Sequence, residues 1–240
     1  FDDITEKVQL ENQLLQAEKL SSIGLLAAGI AHEINTPLTG VCSYTQMLLK
    51  ETPPQDRRHE MLKKIEKQGF RASSIVESLL NLARVGDSDF QEVDVNSLML
   101  ETLSLLDHQF RAASIDVKLD LDPVLPSTLA NGGKLQQVFM NLFLNAKDAM
   151  PEGGQLRVRT HCEDSQLVVK IEDTGTGISE EDIKRIYDPF FTTKELGKGT
   201  GLGLSVCYGI IQEHSGRITV TSRPGLGSAF RVQLPLKRVH

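Results

Sequence analysis

The stretch RVGDSDFQEVD, residues 84–94, separates two kinds of sequence. Before it, apolar residues recur at spacings of three and four. After it, period-two alternation and turn residues take over. Gly86, Asp87, Ser88 and Asp89 carry no apolar face and interrupt any helix that reaches them. The reading of the whole chain follows from this break.

On the N-terminal side the apolar positions are Leu10, Leu14, Ala17, Ile23, Ala27, Ile30, Ile34, Pro37, Val41, Tyr44 and Leu48. Such spacing is the seam of a coiled coil or helix bundle. ETPPQD, residues 51–56, breaks it with two prolines. A second run, Leu62, Ile65, Gly69, Ala72, Val76, Leu79 and Ala83, ends near Gly86. Two helices and a short turn make an αα-hairpin. One hairpin cannot cover its own seam, and pairing two gives a four-helix bundle, so a homodimer is predicted.

On the C-terminal side, VDVNSLMLETLSLLDHQF opens as a short strand and becomes helical. IDVKLDLD, GQLRVRTHC, QLVVKIEDTG, GRITVTS and SAFRVQLPL alternate like strands, and KLQQVFMNLFLNAKDAM reads as a helix. Interleaved helices and strands predict a separate α/β sandwich. The fold class is therefore multidomain, α followed by α+β. The expected divisions are 1–21, a helix arriving from an upstream segment; 22–86, the hairpin; 87–91, a hinge; and 92–240, the sandwich.

Composition narrows the function. A net charge of -6 and the absence of Trp argue against nucleic-acid binding. Cys42, Cys162 and Cys207 match no metal spacing and read as reduced, mostly buried thiols of a cytosolic compartment. No apolar run approaches the ~20 residues of a membrane span. The chain begins with Phe1, so it is expected to be part of something longer, and any membrane anchor would lie outside it.

In AAGIAHEINTPLTG, residues 27–40, a seam through Ala27 and Ile34 puts His32 at the outward f position and Glu33 beside it. By position alone His32 is a surface side chain. Its neighbours suggest more. A carboxylate can orient an imidazole or take its proton. Thr36 lies one turn along the same face and can hold a water. Pro37 bends the helix, and small residues around it leave room for another domain. This setting suits a nucleophile.

Asn141, Asn145 and Asp148 share one face of a predicted helix and could offer oxygens to a hard cation such as Mg²⁺, or form a solvated face. In EDTGTGI, residues 172–178, Gly175 and Gly177 permit close approach to a planar ligand, and Asp173 could accept from an exocyclic amine. KELGKGTGLGLSV, residues 194–206, places glycines and two lysines before an apolar helix, an arrangement that can hold phosphate. It lacks Walker spacing and follows no βαβ pattern, so P-loop and Rossmann readings fail. GLGSAF, residues 225–230, adds a further glycine turn. The remaining histidines, 59, 108, 161, 214 and 240, read as structural or solvated, with no carboxylate constellation.

Taken together, HEINTPL, NLFLNAKDAM, DTGTGI, DPFFTTK, GKGTGLGL and GLGSAF, in this order, resemble the boxes of the bacterial sensor histidine kinase catalytic core. The leading DDITEKVQLENQLLQAEKL is similar to the end of a PAS sensor domain running into a signalling helix. The resemblance implies a dimerisation and histidine-phosphotransfer hairpin followed by a Bergerat-type ATP-binding sandwich, with ATP and Mg²⁺ as ligands. His32 would be phosphorylated, Glu33 would be its acid/base partner, and Thr36 would position water for dephosphorylation of a response regulator. Asn145 would bind Mg²⁺, with Asn141 near the phosphates. Asp173 would read the adenine amine, beside Gly175, Gly177 and Ile178. Residues 187–203 would form a lid in which Lys194, Gly199, Thr200, Gly201, Leu202 and Gly203 approach phosphate, with Phe190 and Phe191 anchoring it or docking on the helices. Ser228 belongs to the last nucleotide box. Asp148 departs from the basic residue that many members carry there, so a water-mediated contact is expected of it. The implied partners are a second copy, a receiver domain and an upstream PAS domain. The implied location is the cytoplasmic portion of a bacterial protein, with an anchor possible outside the chain. Rival readings are a superfamily ATPase, or a nucleotide-binding scaffold without histidine phosphorylation. An asparagine at 141, which cannot take a proton from water, argues against the ATPase.

Overall fold

The computed structural model of the chain describes residues 34, 36–83, 90–194 and 199–236. The chain divides into two compact units, Phe1–Val85 with Lys194–Leu202, and Gly86–Thr193 with Gly203–His240.

The first unit is the helical hairpin. Helix α1 covers residues 36–51 and α2 covers Arg57–Ala83. Pro53 and Pro54 lie in the turn between them, where α1 cannot continue. Asp56 starts α2 by accepting the Arg58 N–H at 2.8 Å, and Arg58 holds its carboxyl down at about 2. Gly69 on α2 is buried and faces Cys42 on α1, so close that a Cβ there would lie 2.5 Å from the sulfur. The predicted seam residues Val41, Tyr44, Leu48 and Ile65 stand exposed in the single chain, together with Met47 and Phe70.

The second unit is a two-layer sandwich. Its elements are β1 (Gln91–Val93), α3 (Val95–Ala112), β2 (Ile115–Leu121), β3 (Thr128–Ala130), α4 (Gly132–Ala149), β4 (Gly154–Glu163), β5 (Gln166–Asp173), α5 (Glu180–Ile183), α6 (Gly203–Glu213), β6 (Arg217–Arg223) and β7 (Gly227–Pro235). Five strands form one sheet in the order β2-β4-β5-β7-β6. Only β2 and β4 run parallel, joined by the crossover through β3 and α4. β1 pairs with β3 as a separate ribbon. Gln91 is in that ribbon, paired with Ala130.

Helices α3, α4 and α6 cover one sheet face. Alternation sends Leu156 and Val158, Leu167, Val169 and Ile171, and Phe230, Val232 and Leu234 toward them. Leu135, Phe139, Leu142 and Phe143 of α4 are essentially unexposed at the centre of this core. Asp94 caps α3 through the N–H groups of Asn96 and Ser97, and Asn131 caps α4 through that of Lys134. Among the described residues no helix is long and apolar enough to cross a membrane.

Candidate functional site

Asp173, Gly175, Ile178 and Ser228 gather at one end of the sandwich, where β5 leaves the sheet. Parity along β5 turns Asp173 inward with Leu167, Val169 and Ile171, so a carboxylate occupies a core-facing position. It is 8% exposed. Its Oδ1 accepts from Gly175 N–H at 2.9 Å and from Ser228 N–H at 3.3 Å. Its Oδ2 accepts from no donor among the described residues and stays available for a ligand. Burial lifts the carboxyl above the usual carboxylate range, and the two N–H groups only partly offset it.

The loop after Asp173 is pinned from three sides. Thr176 N–H donates to Ala149 O at 2.9 Å, Gly225 N–H donates to Thr176 O at 2.7 Å, and Ile178 N–H donates to Ser222 Oγ at 2.8 Å. Side chains are excluded where the strands crowd in. A Cβ on Gly177, at φ +71°, would press into the Arg223 carbonyl, and one on Gly227, at φ +86°, into that of Asp173. At Gly177 and Gly227 the close neighbours are the protein's own strands.

Asn141 and Asn145 lie half-buried on α4, and Asp148 is exposed one turn on. Asn141 Nδ2 donates to Gly203 O, the first residue of α6, at 3.3 Å. Asn141 Oδ1 accepts no hydrogen bond from a described residue. An open carboxamide oxygen such as that of Asn141 suits a hard cation or its water, and no cluster of three or more acidic, His or Cys ligands stands among the described residues.

The structure thus brings together Asp173, Gly175, Ile178 and Ser228, and joins Asn141 to Gly203. Thr36 is exposed on α1. Lys194, Gly199, Thr200, Gly201 and Leu202 group with the helical unit rather than with the sandwich. His32 and Glu33 lie outside the described residues. Phe190 is exposed, with a left-handed φ of 68°, and Arg185 stacks over the Phe191 ring at 4.6 Å.

One residue beside the site escaped the sequence reading. Ser222 accepts from Ile178, donates to Gly227 O at 2.8 Å and lies 3.0 Å from Ser228 Oγ. Its parity with the inward Ile218 and Val220 was the legible signal. Cys207, expected among the buried thiols, is buried against α4, and its thiol donates to Val138 O at 3.7 Å. Cys162, expected among the buried thiols, is exposed. His161, expected without a carboxylate, lies 3.3 Å from Glu163, its same-face neighbour two residues along β4. His214 is structural, as expected. It bridges Ile210 O at 2.7 Å and Asn131 N–H at 3.0 Å, and burial lowers its pKa.

Comparison with known proteins places both units. Residues 22–88 match the His Kinase A (phospho-acceptor) domain. Residues 130–238 match the histidine kinase-, DNA gyrase B- and HSP90-like ATPase family. The sensor kinase CckA of Brucella abortus is 38% identical over 97% of this chain and 26% of its own length. The chain spans less than half the length of the first curated relatives it matches. Full-length ShkA in complex with AMPPNP aligns with a TM-score of 0.78 at 25% identity, over 89% of this chain and 46% of that one. The catalytic domain of histidine kinase ThkA aligns at 0.56 and 34% identity, over 61% of this chain and 95% of that one. ThkA in complex with the response regulator protein TrrA aligns at 0.67 and 28% identity, over 95% and 66%.

Proposed function

Because the chain belongs to the sensor histidine kinases, we propose that it is the catalytic core of one: it binds ATP in the sandwich, phosphorylates His32, and passes the phosphoryl group to an aspartate of a response regulator. The observation that carries this reading is Asp173, a buried carboxylate with one oxygen tied to backbone and the other open. An exocyclic purine amine is the donor such an oxygen selects. The AMPPNP complex of ShkA and the regulator complex of ThkA support the two ends of the reaction.

The chemistry is in-line phosphoryl transfer, which depends on positioning and charge neutralisation more than on covalent help. His32 Nε2 attacks the γ-phosphorus, the bond to the β,γ-bridging oxygen breaks, and ADP leaves with that electron pair. Glu33 takes the proton from Nδ1, leaving a phosphoramidate that an aspartate can accept. Asn145 would hold Mg²⁺, which when bound would neutralise phosphate charge, with Asn141 near the phosphates. Asn141 cannot act as a base toward water, so ATP waits for the imidazole. Thr36 positions water for removing phosphate from the regulator.

The exposed apolar residues Val41, Tyr44, Leu48 and Ile65 support a homodimer, since a second hairpin would cover them. Residues 1–21 are proposed as the signalling helix from an upstream PAS domain, 22–86 as the phosphotransfer hairpin, 87–91 as a hinge, and 92–240 as the ATP-binding domain, on the cytoplasmic side of a bacterial cell. Lys194, Gly199, Thr200, Gly201, Leu202 and Gly203 are proposed as the lid. The test is a time course with γ-labelled ATP, with and without EDTA, followed by addition of a receiver domain. Label that enters the chain only with Mg²⁺ and then moves to the receiver supports the proposal. Free phosphate released with no protein-bound label contradicts it.

A further inference from the structure

Asp173, Ser228 and Ser222 stand side by side across the sheet. The β5–β7 register pairs Asp173 with Ser228, and the β6–β7 register pairs Ser228 with Ser222. They share parity with the buried Ile171, Phe230 and Ile218, so this rung gives the apolar sheet face a polar end. Asp173 and Ser228 are buried, and Ser222 is half-buried.

The hydrogen bonds of the rung admit one arrangement of protons. A serine hydroxyl has one hydrogen to donate and two lone pairs that accept. Ser222 Oγ lies 2.8 Å from Gly227 O, which can only accept, so the Ser222 hydrogen goes there. Ile178 N–H can only donate, and at 2.8 Å it takes one lone pair of Ser222. The Ser228 hydroxyl, 3.0 Å away, must then donate to the other lone pair. Ser222 is saturated, and Ser228 Oγ keeps only lone pairs. Asp173 Oδ1 holds the Gly175 and Ser228 N–H groups. With Asp173 ionised, the rung presents acceptors at Asp173 Oδ2 and Ser228 Oγ, and no hydroxyl donor.

We propose that Ser222 is a positioning residue that sets base specificity through Ser228: by taking the Ser228 proton, it keeps this end of the site an acceptor and so favours a 6-amino over a 6-oxo purine. This deepens, and rests on, the reading of Asp173 as the base contact of a kinase. Without the Ser222 oxygen, the Ser228 hydroxyl loses its acceptor and can turn its hydrogen toward the site. A 6-oxo group then finds a donor there, and a 6-amino group meets donor against donor. Ile178 N–H also loses its acceptor, which loosens the loop against any base alike. The loop effect lowers both affinities, whereas the proton effect changes their ratio.

The test measures the dissociation constants of ATP and ITP for wild type, Ser222→Ala, Ser222→Thr and Ser222→Val in the full chain. Threonine and valine have nearly the same shape and differ in the hydroxyl, so this pair decides the question even where alanine unsettles the strand. The preference for ATP over ITP should fall about 3- to 10-fold with alanine and valine, and stay within about twofold of wild type with threonine. In a Ser228→Ala background the same substitutions should leave the preference unchanged, because the proton they steer is gone. An undiminished preference in the alanine and valine variants, with both affinities lowered together, would overturn the proposal and leave Ser222 a structural clamp. So would an equal fall with threonine and valine. A wild type that binds ATP and ITP equally would instead overturn the assignment of Asp173 to the base, and the proposal with it.

Discussion

Exchanging Asp173 for asparagine should invert base preference rather than simply weaken binding. Oδ1 of Asp173 is committed to the N–H groups of Gly175 and Ser228, at 2.9 and 3.3 Å. An asparagine will keep its carbonyl oxygen there, because two buried N–H groups would otherwise be left unpaired. Its amide nitrogen then takes the Oδ2 position and points a donor at the ligand. A 6-amino purine meets donor against donor, whereas a 6-oxo purine gains an acceptor for that donor. A hydrogen bond to a charged group contributes about 1.5–3 kcal/mol, so ATP should bind about 10- to 150-fold more weakly. ITP should bind the variant better than it binds wild type. Stability should move the other way. Burial raises the folded-state pKa of Asp173, so its ionisation costs stability as pH rises above the usual 3.8 through the folded value. At pH 7 the neutral asparagine removes that cost, and the melting temperature should be unchanged or higher. Displacement of a fluorescent nucleotide by ATP and ITP, alongside a thermal melt, measures all three effects. A folded variant that binds ATP like wild type, or shows no gain for ITP, would refute the assignment of this carboxylate to the base.

Gly177→Ala should destabilise the sandwich by about 2–4 kcal/mol, because it adds both a left-handed φ penalty and a clash with the Arg223 carbonyl; a melt should show a fall of about 5–15 °C. Gly69→Ala should gain about 0.5–1 kcal/mol of helix propensity only in a Cys42→Ala background, where the sulfur facing it is gone; denaturant unfolding of the two single variants and the double variant measures that coupling. His214 is held neutral by burial, with Nε2 accepting from Asn131, so its stability contribution is present above its usual 6.5 and is lost as pH falls through the lowered folded value. Wild type should therefore melt progressively lower below about pH 6.5, and His214→Gln should flatten that slope while lowering the melting temperature near pH 7.

Most of the architecture was readable because it rests on periodicity. The change of period at residues 84–94 separates hairpin from sandwich, and alternation along β4, β5 and β7 places the core. What alternation needs is length, and β3 and α5 have too little of it. Thr128–Ala130 is three residues after Pro126, and Glu180–Ile183 is a single turn capped by Ser179. Asp173 was readable as a carboxylate ahead of a glycine turn, but the atoms that hold it were not. Ser228 reaches it through the β5–β7 register, with 55 residues between the partners, and Ser222 on the β6–β7 hairpin meets Ile178 across 44. Cys207 was readable as a buried thiol in an apolar run, but its partner, the Val138 carbonyl on another helix, was not. The glycine-rich stretch was legible in composition but not in place, since Lys194 and Gly199 to Leu202 group with the hairpin.

The claim at the centre of this account is that the phosphoryl group rests on the imidazole of His32. The most direct measurement is protein-bound radioactivity after incubation with γ-labelled ATP and Mg²⁺, in wild type and in His32→Gln, each then treated with acid and with base. A stable label in base, rapid loss in acid and no label on the variant are the expected results. Equal labelling of both proteins, or a label that survives acid, would contradict it.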